Sequence, residues 1–134
     1  MPVQWTEDLA TGIDRIDAQH RELYAQVAAL HEAMRGGQLG RVPAIVAFLQ
    51  RYALEHFATE EREMAAAAYP DLAEHQRLHQ QFVDDFLRHK ALLAAGIAPS
   101  AVVALSQWLT DWLRDHVRRV DGAMARFLRG ASRA

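Results

Sequence analysis

The sequence predicts an all-α protein, an up-down-up-down antiparallel four-helix bundle with an N-terminal arm and a short C-terminal helix. Three observations carry this. Apolar residues recur at steps of three and four, the spacing of a bundle seam. Glycine and proline clusters cut the 134 residues into four blocks with short connections, which make neighbouring helices antiparallel. No segment carries the period-two alternation of a strand.

The blocks follow in order. The first seam runs Ile16, His20, Leu23, Val27, Leu30, Met34 and stops at Gly36-Gly37. The second starts near Pro43 and runs Ile45, Leu49, Tyr52, His56, Glu60, up to a break at Tyr69-Pro70-Asp71. The third runs Leu72, His75, His79, Phe82, Phe86, His89, Leu93; Asp71 with Glu74 three residues on predicts a capping box at its start. The fourth runs Val102, Leu105, Leu109, Trp112, His116, after a break from Gly96 to Ser100, with Ser100 as the expected N-cap.

Hydrophobic residues make up 51% of the chain, enough for one core in one domain, taken as residues 1–134. A net charge of -2 argues against a nucleic-acid partner or an acidic membrane surface. The locally basic stretch of Arg114, Arg118, Arg119, Arg126, Arg129 and Arg133 reads as a solvated helix face. The absence of cysteine excludes disulfides, thiolate metal sites and a cysteine nucleophile, and fits a reducing cytoplasm. The first residues carry neither the basic nor the apolar region of a signal peptide. The most apolar stretch, Ala91 to Leu105, is broken by Gly96, Pro99 and Ser100, so no membrane insertion is expected.

The seams carry the functional message. His20, His56, Glu60, His75, His79 and His116 sit on lines that should be apolar. One such residue is ordinary, since it can fix register or bond a carbonyl. Six are different. Each buried polar group without a partner costs about 1–3 kcal/mol, against a total stability of roughly 5–15 kcal/mol. In alternating helices all six fall at one end of the bundle. His31 lies about 16 Å further along its helix than His20, and His89 is displaced similarly from His79, so both are excluded. The pairs His56/Glu60 and His75/His79 share helix faces at i and i+4. His116 and Asp121 are five apart, splayed by about 140° on an ideal helix, so that helix must distort or end there. Five imidazoles with two carboxylates can hold two metal ions. The nitrogen and oxygen donors suit iron or manganese better than zinc, magnesium or calcium.

Five elements then match a known pattern in order along the whole chain: Trp5; Gly12-Ile13-Asp14-Arg15-Ile16-Asp17-Ala18-Gln19-His20; His56-Phe57-Ala58-Thr59-Glu60-Glu61; His75 to His79; and Trp112-Leu113-Arg114-Asp115-His116 through Asp121. The sequence resembles the hemerythrins, specifically the single-domain bacteriohemerythrins. The resemblance implies a non-heme diiron centre, oxo- or hydroxo-bridged. His75, His79 and His116 would hold one iron, His20 and His56 the other, and Glu60 and Asp121 would bridge both. The first iron is then six-coordinate and the second five-coordinate, with one position open, where the family binds O2. Leu23, Phe57, Trp112, Leu113 and Val117 match the family's apolar O2 pocket, although each also suits ordinary bundle core. The family places a leucine, here Leu113, over the open position.

The expected function is reversible O2 binding for carriage, storage or delivery in the cytoplasm, with a monomer favoured over an oligomer and an acceptor protein as a candidate partner. An O2, NO or redox sensor is the alternative, although 134 residues leave no room for a fused signalling region. Bundle-type diiron enzymes carry more carboxylates and fewer histidines, so a peroxidase or oxygenase ranks last and the chain is expected not to be an enzyme.

Overall fold

The computed structural model describes residues 4–133, with side chains up to Gly130; the side chain of Arg133 therefore lies outside it. Four long helices form the bundle: α1 (Asp14–Arg35), α2 (Val42–Ala66), α3 (Leu72–Ala94) and α4 (Pro99–Asp115). α4 runs through one wide π-turn, His116–Asp121, into α5 (Gly122–Arg133). There is no strand among the described residues. α1 packs on α2 and α4, and α3 closes the ring against α2 and α4. No described helix is long and apolar enough to cross a membrane.

Helix boundaries follow from local chemistry. α1 ends in a Schellman turn: Gln38 N–H reaches Ala33 C=O at 2.7 Å, Gly37 N–H reaches Met34 C=O at 3.2 Å, and Gly37 takes φ +70°. α2 ends in the same turn, with Tyr69 N–H on Met64 C=O at 2.9 Å and Ala68 N–H on Ala65 C=O at 3.2 Å. Here the left-handed position is filled by Ala68, at φ 56°. An L-residue with a Cβ pays about 1–2 kcal/mol there, and a glycine loses only part of that gain through its larger unfolded-state entropy. Ala68→Gly is therefore expected to stabilise the protein by about 0.5–1 kcal/mol. A urea midpoint that fails to rise, at equal slope and equal metal content, would contradict this.

Two expected caps are corrected. Asp71 makes no side-chain cap, because its backbone (φ -98°, ψ 20°) is not the extended form that aims a carboxylate at the first turn. Glu74 turns outward to Arg77, at 2.8 and 2.6 Å. Ser100 is not the N-cap of α4. The helix starts one residue earlier, at Pro99, with Ala98 extended before it. Proline suits that first position because its φ is preset and its missing N–H would have no partner there.

The N-terminal arm is tied down by a buried Asp17. Its carboxylate accepts the Thr11 N–H and Thr11 Oγ1–H, both at 2.8 Å, and the Gly12 N–H at 3.2 Å. Gly12 holds φ +83°, and a Cβ there would meet the Arg129 guanidinium, which donates to the Thr11 carbonyl. The basic stretch is largely paired on the surface: Arg114 with Asp111, Arg119 with Asp115, and Arg118 with Asp8 of the arm.

Apolar side chains form two layers. The larger cluster fills most of the bundle and includes Leu30, Leu105 and Leu109, each at most 1% exposed. Burying such a side chain stabilises the fold by about 1.5–3 kcal/mol. A smaller cluster, Ile16, Met64, Met124 and Leu128, closes the end of the bundle that α5 reaches. The polar seam residues lie between these layers, sealed above and below by hydrocarbon.

Candidate metal centre

Each helix delivers its polar residues to one level. α1 supplies His20, α2 supplies His56 and Glu60, α3 supplies His75 and His79, and the π-turn supplies His116 at its start and Asp121 at its end. All seven are at most 4% exposed. The distortion expected between His116 and Asp121 takes the form of this π-turn. Widening the turn to an i to i+5 repeat puts the two residues on one face, which an α-helix cannot do. Asp121 Oδ1 then stands 3.2 Å from His116 Nε2.

The rings fall into a triplet and a pair. His75, His79 and His116 have centroids 4.5–5.2 Å apart, and His20 and His56 are 4.7 Å apart. The two carboxylates stand between the sets with their oxygens divided. Glu60 Oε1 faces His75 and His79 at 3.4 and 3.2 Å, and Oε2 faces His56 and His20 at 3.2 and 3.6 Å. Asp121 Oδ1 faces His75 and His116 at 3.0 and 3.2 Å, and Oδ2 faces His20 at 2.9 Å. Two groups of potential ligand atoms result, Glu60/His75/His79/His116/Asp121 and His20/His56/Glu60/Asp121, each within 4.8 Å internally and sharing both acids.

These contacts are close but are not hydrogen bonds. All four carboxylate oxygens, and Nε2 of His20, His75, His79 and His116, are buried without a hydrogen-bond partner. At about 1–3 kcal/mol each, eight such atoms would cost as much as the whole stability of roughly 5–15 kcal/mol that a fold of this size has. Donor atoms that converge at this range without hydrogen bonds between them fit cations placed among them. A donor set of five imidazoles and two shared carboxylates fits two ions of the iron or manganese type.

The electrostatics agree. Burial disfavours the charged imidazole of His20 and of His75, but the Asp121 and Glu60 carboxylates outweigh it and raise both to about 9. Burial likewise opposes charge on Glu60 and Asp121, yet the facing imidazoles hold both acids well below the usual carboxylate range. The acids stay ionised, as ligands must.

Two rings stack on the histidines: Phe57 on His79 at 3.9 Å and Trp112 on His116 at 4.1 Å. All five residues expected to form an apolar pocket, Leu23, Phe57, Trp112, Leu113 and Val117, line one cavity of about 10 Å³. His20 and His56 also line it, with His116 and Asp121, whereas Glu60, His75 and His79 do not. His31 and His89 stand apart from both ligand groups, and His89 stacks on Trp108 at 5.0 Å.

Sequence reasoning assigned no role to Gln19 or Glu61, which support the site from behind. Gln19 Oε1 accepts from His56 Nδ1 at 2.7 Å, and Glu61 Oε2 accepts from His79 Nδ1 at 2.8 Å. The available signal was that a ligating imidazole needs a partner for its second nitrogen. Each support is a polar residue next in sequence to a candidate ligand, Gln19 beside His20 and Glu61 beside Glu60.

Comparison with known proteins agrees with this geometry. The sequence model of the hemerythrin HHE cation-binding domain matches residues 11–128. A bacteriohemerythrin of Stenotrophomonas maltophilia is 36% identical over 121 residues, 90% of this chain and 78% of that protein. One from Pseudomonas aeruginosa is 32% identical over 117 residues, 87% and 75% of the two chains. A myohemerythrin of Riftia pachyptila is 28% identical over 120 residues, 90% and 88% of the two chains. A crystal structure of a leucine-to-tyrosine mutant of hemerythrin superposes with a TM-score of 0.83 at 26% identity, covering 96% of this chain and 98% of that one.

Proposed function

Because the chain belongs to the hemerythrin family, we propose that it binds O2 reversibly at a pair of irons. His75, His79 and His116 would hold one and His20 and His56 the other, with Glu60 and Asp121 serving both. The observation that carries this reading is the division of the carboxylate oxygens, one of each acid toward the triplet and one toward the pair. Two ferrous ions in this site supply the two electrons that O2 takes up on binding.

The chain's own residues do the rest. The triplet with two shared acids offers five protein donors, and the pair offers four. The cavity meets both histidines of the pair, the side with fewer donors, and only His116 of the triplet. Its volume is at the lower limit for one water-sized molecule and it is walled mainly by hydrocarbon, an arrangement that would keep bulk water and outside protons from the site. Leu113, 4% exposed, is the wall residue one turn before His116. Five imidazoles against two carboxylates place less negative charge on the metals than the carboxylate-rich diiron enzymes do, which supports holding O2 over cleaving it. We take the chain as a cytoplasmic carrier, store or delivery protein.

The test is optical. Ferrous-loaded protein kept without air is expected to colour on adding O2 and to lose the colour under argon, over repeated cycles. Irreversible bleaching with free peroxide would overturn the reading in favour of an enzyme. Leu113→Ala is expected to keep two irons but raise the autoxidation rate roughly tenfold, equivalent to about 1.4 kcal/mol of barrier. An unchanged rate would remove Leu113 from the wall that protects bound oxygen.

A further inference from the structure

The two histidine sets differ in what stands behind them. On the His56 side the hydrogen bonds have a fixed direction. Thr59 Oγ1–H donates to the Glu55 carbonyl at 3.1 Å, so the same oxygen accepts from Gln19 Nε2 at 3.3 Å. That turns Gln19 Oε1 toward His56, whose Nδ1–H donates to it at 2.7 Å. On the His79 side the acceptor is an anion. Nδ1–H donates to Glu61 Oε2 at 2.8 Å, and Gln76 Nε2 holds the other carboxylate oxygen at 3.2 Å. Both directions leave Nε2 of each ring facing Glu60, at 3.2 Å in each case. Nδ1 of His20 and of His75 is buried without a hydrogen-bond partner.

A carboxylate that accepts the Nδ1 proton draws it from the ring and makes Nε2 a stronger donor to a metal. A neutral amide does this weakly. Stronger donation favours the higher oxidation state. The Glu61 side chain is 30% exposed, so water screens part of its charge, but the direct contact to Nδ1 is retained.

We propose that Glu61, acting through His79, lowers the reduction potential of the metal held by His75, His79 and His116 below that of the metal held by His20 and His56. The first electron to leave the reduced pair then comes from the Glu61-backed side. This rests on the diiron reading above. In that half-reaction one Fe(II) becomes Fe(III), and in a titration the electron passes to a soluble mediator dye. Glu61 and Gln19 are positioning residues, since each acts through a histidine.

The experiment compares the unmodified protein, Glu61→Gln and Gln19→Glu, each loaded anaerobically with ferrous iron-57, counted for iron, and titrated with mediators while Mössbauer spectra follow each site. Glu61→Gln is expected to lower the oxidised-to-reduced ratio at the first step about tenfold at a fixed mediator potential, a rise of about 59 mV for one electron. The second step should stay in place. Gln19→Glu should lower the potential of the other site and narrow the gap. Two irons with an unshifted first step in Glu61→Gln would overturn the inference while leaving the diiron reading intact. If Glu61→Gln does not hold iron, an unchanged gap in Gln19→Glu overturns it instead. Fewer than two irons in the unmodified protein would sink the underlying reading.

Discussion

Glu60→Ala is expected to bind no more than one iron per chain and to lose all O2-dependent colour. Glu60 is fully buried, and each of its oxygens faces a different histidine set. Removing it takes a donor from both ions at once and removes one of the two charges that hold them together. Loss of a supporting partner alone costs about 10–100-fold in metal affinity, and loss of a shared ligand must exceed that. Glu60→Gln is the informative companion. It keeps the volume, so the core is not hollowed, but it offers one oxygen where two are needed. Both variants should keep their helical circular dichroism, because the apolar clusters on either side of the site are untouched. Two irons per chain in Glu60→Ala would remove Glu60 from the shared position.

The second large effect is on pH. His20 and His75 titrate at about 9 against an ordinary 6.5, because the Asp121 and Glu60 carboxylates overcome the cost of burying the charge. A folded value above the unfolded one gives a contribution fully present below about pH 6.5 and lost as pH rises through about 9. That contribution belongs to protons, and a metal competes with them for the same nitrogens. Iron requires neutral imidazoles, so loading at pH 7 must expel both protons. Anaerobic ferrous titration at pH 7 is expected to release at least two protons per chain. Apparent affinity should rise about 100-fold per pH unit between pH 7 and about 9, two protons being displaced per chain loaded, and then flatten. Metal affinity independent of pH over that range would contradict the account.

How much of this was legible in the sequence depends on the kind of interaction. The bundle was, because a three-four repeat buries one face of a helix and Gly36-Gly37, Pro70 and Gly96 stop that repeat. That the polar seam residues meet at one level was also legible, since they fall at one end of alternating helices and His56/Glu60 and His75/His79 need only helix geometry to share a face. The five-residue step from His116 to Asp121 announced a distortion, but only the folded chain reveals a π-turn running on into α5. The caps at Asp71 and Ser100 misled because capping depends on one residue's φ and ψ, and the chain before each helix set those differently. Asp17, Gln19 and Glu61 lay inside matching segments without roles. Each acts on the arm or on a neighbouring helix, a direction that helical spacing within one segment does not encode.

Two irons are expected between Glu60 and Asp121, one among His75, His79 and His116 and one beside His20 and His56. Anomalous diffraction at the iron edge, from crystals of protein loaded with ferrous iron, locates them. Two peaks flanked by those carboxylates are the predicted result; a single peak, or iron bound elsewhere on the molecule, would contradict it.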